Sequence, residues 1–352
     1  MANGFYQVTQ KPNTFSDKIF LIIVMLLLLC CGIRKDLVRS PHYIEGKTMG
    51  ATYHITYFDK RKKDFKPSID SLLKIVNQSI NNYDPLSEVS IFNKATHSFI
   101  FKLPYFYPPL KVAKEVYKSS GGAFDPTVMP LVNAWGFGQQ QEINLNKTKI
   151  DSLLAIVGFN KISFTSDSIY KADPRIQVDF GGIGQGYGAD VITNFLQAKG
   201  IKNMLVELGG EGMAVGINLE KQTEWEIGIL DPISDYAHQS IKASVKIKDR
   251  SFTTSGSYAN YREIDGVKYS HIIDPFTGYP SDHRLLSVTV FAKDATTADA
   301  WDTGLMVLGD KKAIRLIEQH PELDAFFIYS DDAGNLLTYA TKGIKSYIKI
   351  IH

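Results

Sequence analysis

Beyond residue 31 this chain has no cysteine, because its only two, Cys30 and Cys31, stand side by side near the N-terminus. Everything after them therefore lacks a disulfide, a thiol nucleophile and a cysteine-based metal site. Neither sign of charge dominates: 39 Lys and Arg against 37 Asp and Glu leave a formal +2 over 352 residues, which is no nucleic-acid footprint. No apolar run reaches the roughly 20 residues that a spanning helix needs. A Walker A sequence is missing, and Ser255 lacks the Gly-x-Ser-x-Gly setting of a hydrolase nucleophile. No internal repeat, low-complexity tract or break in composition divides the chain into two domains. What remains is a glycine- and aromatic-rich chain long enough to bury a substantial core.

The apolar stretch that does occur, Ile19–Leu29, follows Lys11 and Lys18. A basic n-region before a short apolar run reads as a signal peptide and not as a stop-transfer anchor. Leu28-Leu-Cys-Cys-Gly32 resembles a bacterial lipoprotein cleavage box, with Cys31 expected to carry the lipid and Cys30 as the fallback. An ordinary secretory signal is the alternative. Residues 1–31 are thus expected to be signal and lipobox, 32–41 a tether, and 42–352 one domain.

Periodicity predicts a strand over Tyr43–Phe58 and a helix over Ser68–Asn82 with Ser68 as its N-cap. Further helices are expected at Pro109–Ser119, Asp151–Val157, Ala189–Lys199, Thr296–Leu308 and Lys312–Gln319. Strands are expected at Ile176–Phe180, Met204–Leu208, Trp225–Leu230, Ile241–Ile247 and Leu286–Phe291, with a hairpin over Ala325–Tyr329 and Leu336–Ala340. Helices and strands interleave without strict βαβ alternation, which favours an α+β fold.

Several segments carry chemistry. Glu263–Tyr269 reads as a hairpin turning at Asp265-Gly266, and it delivers His271 and Asp274 to the end of a strand. His271 is a candidate general base, or simply a satisfied histidine in a surface turn. Asp179-Phe-Gly-Gly-Ile-Gly-Gln-Gly-Tyr-Gly-Ala-Asp190 follows an expected strand and opens a helix, as a phosphate-binding glycine loop does. Gly184-x-Gly186-x-x-Ala189, with Glu207 beyond it, also fits a loose dinucleotide fingerprint. Close strand-to-helix packing accounts for one or two of these glycines. Ser120–Thr127 is a second glycine turn and contains Asp125, with Trp135-Gly-Phe-Gly138 beyond it. Asp299, Asp302 and Thr303 fall on one helical face, where their oxygens suit Mg²⁺ or form a solvated polar face. Thr253–Tyr258 adds hydroxyls suited to a phosphate or other polar edge.

Taken in order, these segments resemble the ApbE family, the FAD:protein FMN transferases. The resemblance runs from about Gly46 to Gly309. It is carried by Met49-Gly-Ala51, Tyr83 with Ser87-Glu88, Gly121–Asp125, Asp179–Asp190, Leu208-Gly-Gly210, Thr254-Ser-Gly256, His271–Pro280 and Ala298–Thr303. It implies an α+β, T-fold-related architecture of mixed sheets packed with helices, with the active site in a cleft between two halves. It also implies Mg²⁺-dependent transfer of FMN from FAD to a Thr or Ser hydroxyl of client flavoproteins, with release of AMP. By the resemblance, Met49, Tyr83, Ala123, Phe124, Asp125, Asp179, Gln185 and Ile272 line the FAD site. Gly182 (by its carbonyl), Asp299, Asp302 and Thr303 hold Mg²⁺. His271 is the base for the incoming hydroxyl or a group that positions the phosphate, and Asp274 orients it. FAD, client flavoproteins and a membrane reached through a lipid anchor are the expected partners; nucleic acid is not. The expected location is the periplasmic face of a bacterial inner membrane.

The chain departs from the family pattern at Gln185, where many members have Lys, at Ser257, where Asp or Asn is common, and at Phe276, where a basic residue is frequent. The alternatives weighed are hydrolysis of FAD to FMN and AMP, passive flavin binding, and a nicotinamide-dependent oxidoreductase. Expected export and the motifs of the second half count against the last.

Overall fold

The computed structural model describes residues 40–138, 145–234, 239–257, 261–264 and 267–351. The expected leader and lipobox, most of the tether, and the Asp265-Gly266 turn lie outside these residues. Strands in chain order are β1 (His42–Thr48), β2 (Ala51–Tyr57), β3 (Ser98–Ile100), β4 (Ile162–Phe164), β5 (Ser168–Lys171), β6 (Met204–Leu208), β7 (Glu211–Val215) and β8 (Trp225–Leu230). There follow β9 (Ile241–Ile247), β10 (Arg250–Gly256), β11 (Tyr261–Ile264), β12 (Val267–Ser270), β13 (Leu285–Phe291), β14 (Asp324–Ser330), β15 (Leu336–Ala340) and β16 (Ile348–Ile350).

The frame is an eight-stranded sheet in the order β1-β2-β6-β7-β10-β13-β14-β15, every pair antiparallel. Antiparallel neighbours turn at alternate ends, so the sheet has two distinct ends. One collects the β1–β2 tip at Met49-Gly50, the β6–β7 tip at Gly209-Gly210 and the end of β10. The other collects the start of β1 and the segments beyond β2 and before β6.

Alternation divides the side chains between two faces. Tyr53, Ile55, Val206 and Leu208 pack against the helices Lys66–Ile80 and Gly184–Ala198. Ala214, Phe252, Phe291 and Phe326 face the opposite way, onto Trp225, Ile229 and Val245 of the small sheet β16-β9-β8. The helices thus cover one face and the second sheet the other, the layered α+β arrangement expected from the interleaved pattern.

Four local expectations need correction. Tyr43–Phe58 is two strands, because Met49 (φ 49°) and Gly50 (φ 74°) both adopt left-handed backbone and close a hairpin. The first helix begins at Lys66 with Phe65 at its N-cap position, so Ser68 lies inside it; a proline in the first turn starts it instead. Thr296–Leu308 and Lys312–Gln319 belong to one helix, Ala295–Ile317, kinked where Gly309 adopts φ 71° and ψ 168°. The fourth is Ile176–Phe180, which is not a strand. Asn93 brackets Val178 by donating to its O (2.9 Å) and accepting from its N (2.7 Å), while Asn82 donates to Val178 O and accepts from Phe180 N. Side-chain amides replace the ladder a neighbouring strand would supply.

Candidate active site

The glycine-rich segment leads into the Gly184–Ala198 helix, and close packing requires more of its glycines than the sequence suggests. A Cβ on Gly186 would overlap Ala295 O and lie 2.7 Å from Asp299 Cβ, and one on Gly188 would lie 3.1 Å from Leu208 Cδ1. A Cβ on Gly182 would stand 2.7 Å from Thr303 Oγ1. The absent side chains of Gly182 and Gly186 let this segment and the Ala295–Ile317 helix approach at backbone distance, and that of Gly188 makes room for Leu208. The Gly186 N–H, one of the unpaired donors of a helix start, donates to Asp299 Oδ2 at 2.8 Å. The anion cradle expected of this helix end is thus partly filled by the protein's own carboxylate.

Asp299 and Asp302 are both buried, at 2% and 1% exposure. Burial raises the Asp299 pKa to about 6. Burial, then the charge of Asp299, pushes Asp302 up as well. Glu211, the first residue after the Gly209-Gly210 turn, is raised by burial and then by Asp299 and Asp302. Asp302 Oδ2 and Glu211 Oε2 are buried oxygens without a hydrogen-bond partner among the described residues. Thr303 Oγ1 stands 3.4 Å from Asp302 Oδ1 and 3.5 Å from Ser255 Oγ. Alternation along β10 sends Thr254 the other way, to Thr289 Oγ1 at 2.8 Å. Asp299, Asp302 and Thr303 therefore do converge as the helical spacing predicts. No group of three or more His, Cys, Asp or Glu among the described residues is arranged as a metal cluster.

Gln185 lies over Gly209, whose added Cβ would stand 2.8 Å from the Gln185 amide, and its Nε2 donates to Met49 O at 3.4 Å. The two hairpin tips and the helix start thus meet at Met49, Gln185 and Gly209.

The remaining expected residues occupy a loop wall. Asp179 N–H donates to Pro126 O, and its carboxylate accepts from Gly181 N at 2.8 Å; burial raises its pKa. Tyr83 is 70% exposed and donates to Phe137 O at 3.3 Å, and the Phe137 ring meets the His271 ring edge-on at 6.4 Å. Trp135 Nε1 donates to Gly278 O (2.8 Å) and so ties this wall to the turn after His271. That turn is closed by Gly278 N to Asp274 O and Asp274 N to Tyr279 O, at 2.8 and 2.9 Å.

Some expected residues are occupied with other work. The Asp125 carboxylate accepts from Thr127 N and Oγ1 and from Phe159 N, and burial raises its pKa. Ala123, Phe124 and Ile272 are core residues at 1, 3 and 6% exposure. Asp274 Oδ1 accepts from Phe276 N at 2.7 Å. Sequence reasoning missed Glu211, Asn82 and Asn93 as parts of this region. An acid directly after Leu208-Gly-Gly210 was the available signal for the first. Arg262 was missed too; its guanidinium packs so closely on Gly136 (φ 76°) that a Cβ there would overlap it.

Comparison with known proteins places this arrangement. The family model described as the ApbE family matches residues 49–327. A Vibrio cholerae protein named FAD:protein FMN transferase is 36% identical over 338 residues, covering 94% of this chain and 98% of that protein. One of the same name from Haemophilus influenzae is 34% identical, covering 93% and 96%. The solved structure of the flavin transferase ApbE from Vibrio cholerae superposes with a TM-score of 0.78 at 34% identity, covering 88% of this chain and 99% of that one. A flavinyl transferase ApbE from Pseudomonas stutzeri superposes at 0.77 with 31% identity, covering 88% and 96%. With its motifs, its antiparallel α+β frame and most of its length matched, the chain belongs to the ApbE family.

Proposed function

We propose that this protein transfers FMN from FAD to a Thr or Ser hydroxyl of a client flavoprotein, releasing AMP, with Mg²⁺ at Asp299, Asp302, Thr303 and the Gly182 carbonyl. One observation carries the metal reading: Asp302 Oδ2 is a buried carboxylate oxygen without a partner, beside a second buried carboxylate. Such a pair is costly to ionise unless a cation joins it. Two carboxylates, a hydroxyl and a carbonyl leave room for phosphate oxygens, the usual mixed shell of Mg²⁺. The chemistry a bound Mg²⁺ supplies is neutralisation of charge developing on the pyrophosphate oxygens.

The chain's own residues do the rest. The backbone approach allowed at Gly182 and Gly186 brings the helix starts together, and the Asn82 and Asn93 amides fix the strand-like segment bearing Asp179. The hydroxyl oxygen bonds to the FMN-side phosphorus as the bond to the AMP phosphate oxygen breaks, and His271 accepts the hydroxyl proton. Acceptance of that proton typically contributes on the order of 10²–10⁴-fold. Met49, Tyr83 and Gln185 offer surfaces for the flavin nucleotide at the mouth. Anchoring through lipid on Cys31, or on Cys30, on the periplasmic side of a bacterial inner membrane, rests on the Ile19–Gly32 sequence.

The test is to incubate the protein with FAD, Mg²⁺ and a client domain bearing an acceptor threonine, following AMP and in-gel fluorescence of the client. Both products are expected in equal amount. AMP without a fluorescent client would replace transfer by FAD hydrolysis, and neither product would leave passive flavin binding.

A further inference from the structure

The end of the large sheet remote from Met49, Gly209 and Gly256 is strongly basic. Lys60, Arg61, Lys62 and Lys63 follow β2 directly and are all exposed, as are Lys199 and Lys202 just before β6. The two clusters are one surface. Arg61 Nη2 donates to Lys199 O at 2.8 Å, and Phe58 N donates to Asn203 O at 3.1 Å. Of the acids nearby, Asp59 pairs with Arg61 at 3.1 Å, while Asp64 and Asp249 accept only backbone N–H groups, of Lys66 and Gly216, at 2.8 Å, and offset part of the charge. Among the described residues the ammonium groups of Lys60, Lys62 and Lys202 enter no hydrogen bond or ion pair. The whole chain carries only a formal +2, so this positive charge is segregated on one end and not a general property.

The chain joins the folded body at this same end. His42, the first residue of β1, lies opposite Tyr57, the last of β2, and their rings stack at 5.0 Å. The residues leading to it include Arg34, Lys35 and Arg39, and the apolar run Ile19–Leu29 lies before them. Residues 32–41 can reach at most about 35 Å when extended. The candidate active site lies at the other end of strands about 23 Å long.

We infer that the Lys60–Lys63, Lys199 and Lys202 surface binds the anionic headgroups of a phospholipid bilayer, and so stands the domain on the membrane with its active site facing away. A polybasic surface beside a membrane tether is the geometry in which each cation adds to attachment. The inference takes its direction from the anchoring reading, but its test does not use the leader.

The test protein is the chain begun at Ser40, which carries the described strand pairs and core clusters. It is spun down with vesicles of phosphatidylcholine alone or with phosphatidylglycerol, at low and at physiological salt. Binding is expected only to the anionic vesicles, weakening as salt rises. In the combined variant Lys60→Gln, Lys62→Gln, Lys202→Gln it should fall about 100-fold, at about fivefold for each cation lost. FMN transfer in solution and thermal unfolding should stay unchanged. No preference for anionic vesicles, or a variant that binds them as well as the parent, would overturn the inference. Equal or tighter binding to duplex DNA would do the same by making this an undirected polyanion surface. Lipid incorporation at Cys31 is scored separately in the full chain, so failure of the anchor and failure of this surface are told apart.

Discussion

Replacing Gly186 by Ala should separate two readings of the glycine-rich segment, a packing device and a phosphate cradle. The new methyl would overlap Ala295 O and stand 2.7 Å from Asp299 Cβ, so the Gly184–Ala198 and Ala295–Ile317 helices would have to part by about 1 Å to restore ordinary contact. Overpacking of this kind costs about 1–3 kcal/mol. Stretching the Gly186 N–H bond to a carboxylate removes about 1.5–3 kcal/mol more, against about 1 kcal/mol regained in helix propensity. The net loss is about 1.5–5 kcal/mol, or a fall in Tm of about 2–8 °C for a domain of this size. Gly184→Ala is the control. Its methyl would meet Ile80 Cδ1 at 3.6 Å and Phe180 Cβ at 4.0 Å, ordinary contacts, so the variant should keep or gain up to about 1 kcal/mol. Calorimetric melts of both variants beside the parent decide the matter. Equal Tm values for the two, or a larger loss at Gly184, would refute the packing argument.

Other expectations follow from the same contacts. His271→Ala should lose client labelling by on the order of 10²–10⁴-fold while FAD still binds, measured by flavin fluorescence titration; full activity would remove it as the base. Asp299→Ala should weaken Mg²⁺ binding in calorimetric titration, and an unchanged isotherm would take Asp299 out of the metal set. Asn93→Ala leaves both polar groups of Val178 without that partner and should cost about 2–4 kcal/mol in denaturant unfolding, with weaker FAD binding through displacement of Asp179. Lys171 donates to the carbonyls of Phe92, Asn93 and Ile176, and burial lowers its pKa to about 8. Its folded pKa thus lies below the unfolded value of about 10.4, so the unfolded chain holds the extra proton between those values and stability rises with pH across that window. The stability of the parent relative to Lys171→Met should therefore rise by about 1–3 kcal/mol from pH 8 to pH 10.4; a constant difference would contradict the buried-ammonium reading.

The sequence revealed those elements whose own pattern decides them. Met204–Leu208, Trp225–Leu230 and Ile241–Ile247 have the predicted bounds, because short apolar or alternating runs between polar turns leave few other uses. Ile176–Phe180 carries a similar pattern, yet Asn82 and Asn93, more than 80 residues away, take its backbone bonds. The Met49-Gly50 turn escaped notice because a non-glycine residue in left-handed backbone has no reliable signature. At the site, helical spacing was enough to bring Asp299, Asp302 and Thr303 together. Glu211 joins them only because β7 lies beside β10 in the sheet, a neighbourhood set by topology. The glycines were legible as a motif but not as contacts, since what a Cβ on Gly182 or Gly186 would strike belongs to a helix more than 100 residues later.

The break at Gly309 has a consequence for how this family can vary. Met306 O, inside the last turn before the break, is hydrogen-bonded by His283 Nε2 from a neighbouring loop. A continuous rod would carry any tilt or slip of its far half, out to Ile317, straight back to Asp299 and Thr303. Jointed at Gly309, it behaves as two short levers with a fixed pivot between them. Substitutions and loop-length changes around Ile314–Leu323 can then drift through evolution, absorbed at the joint, while the residues that face the reaction keep their setting.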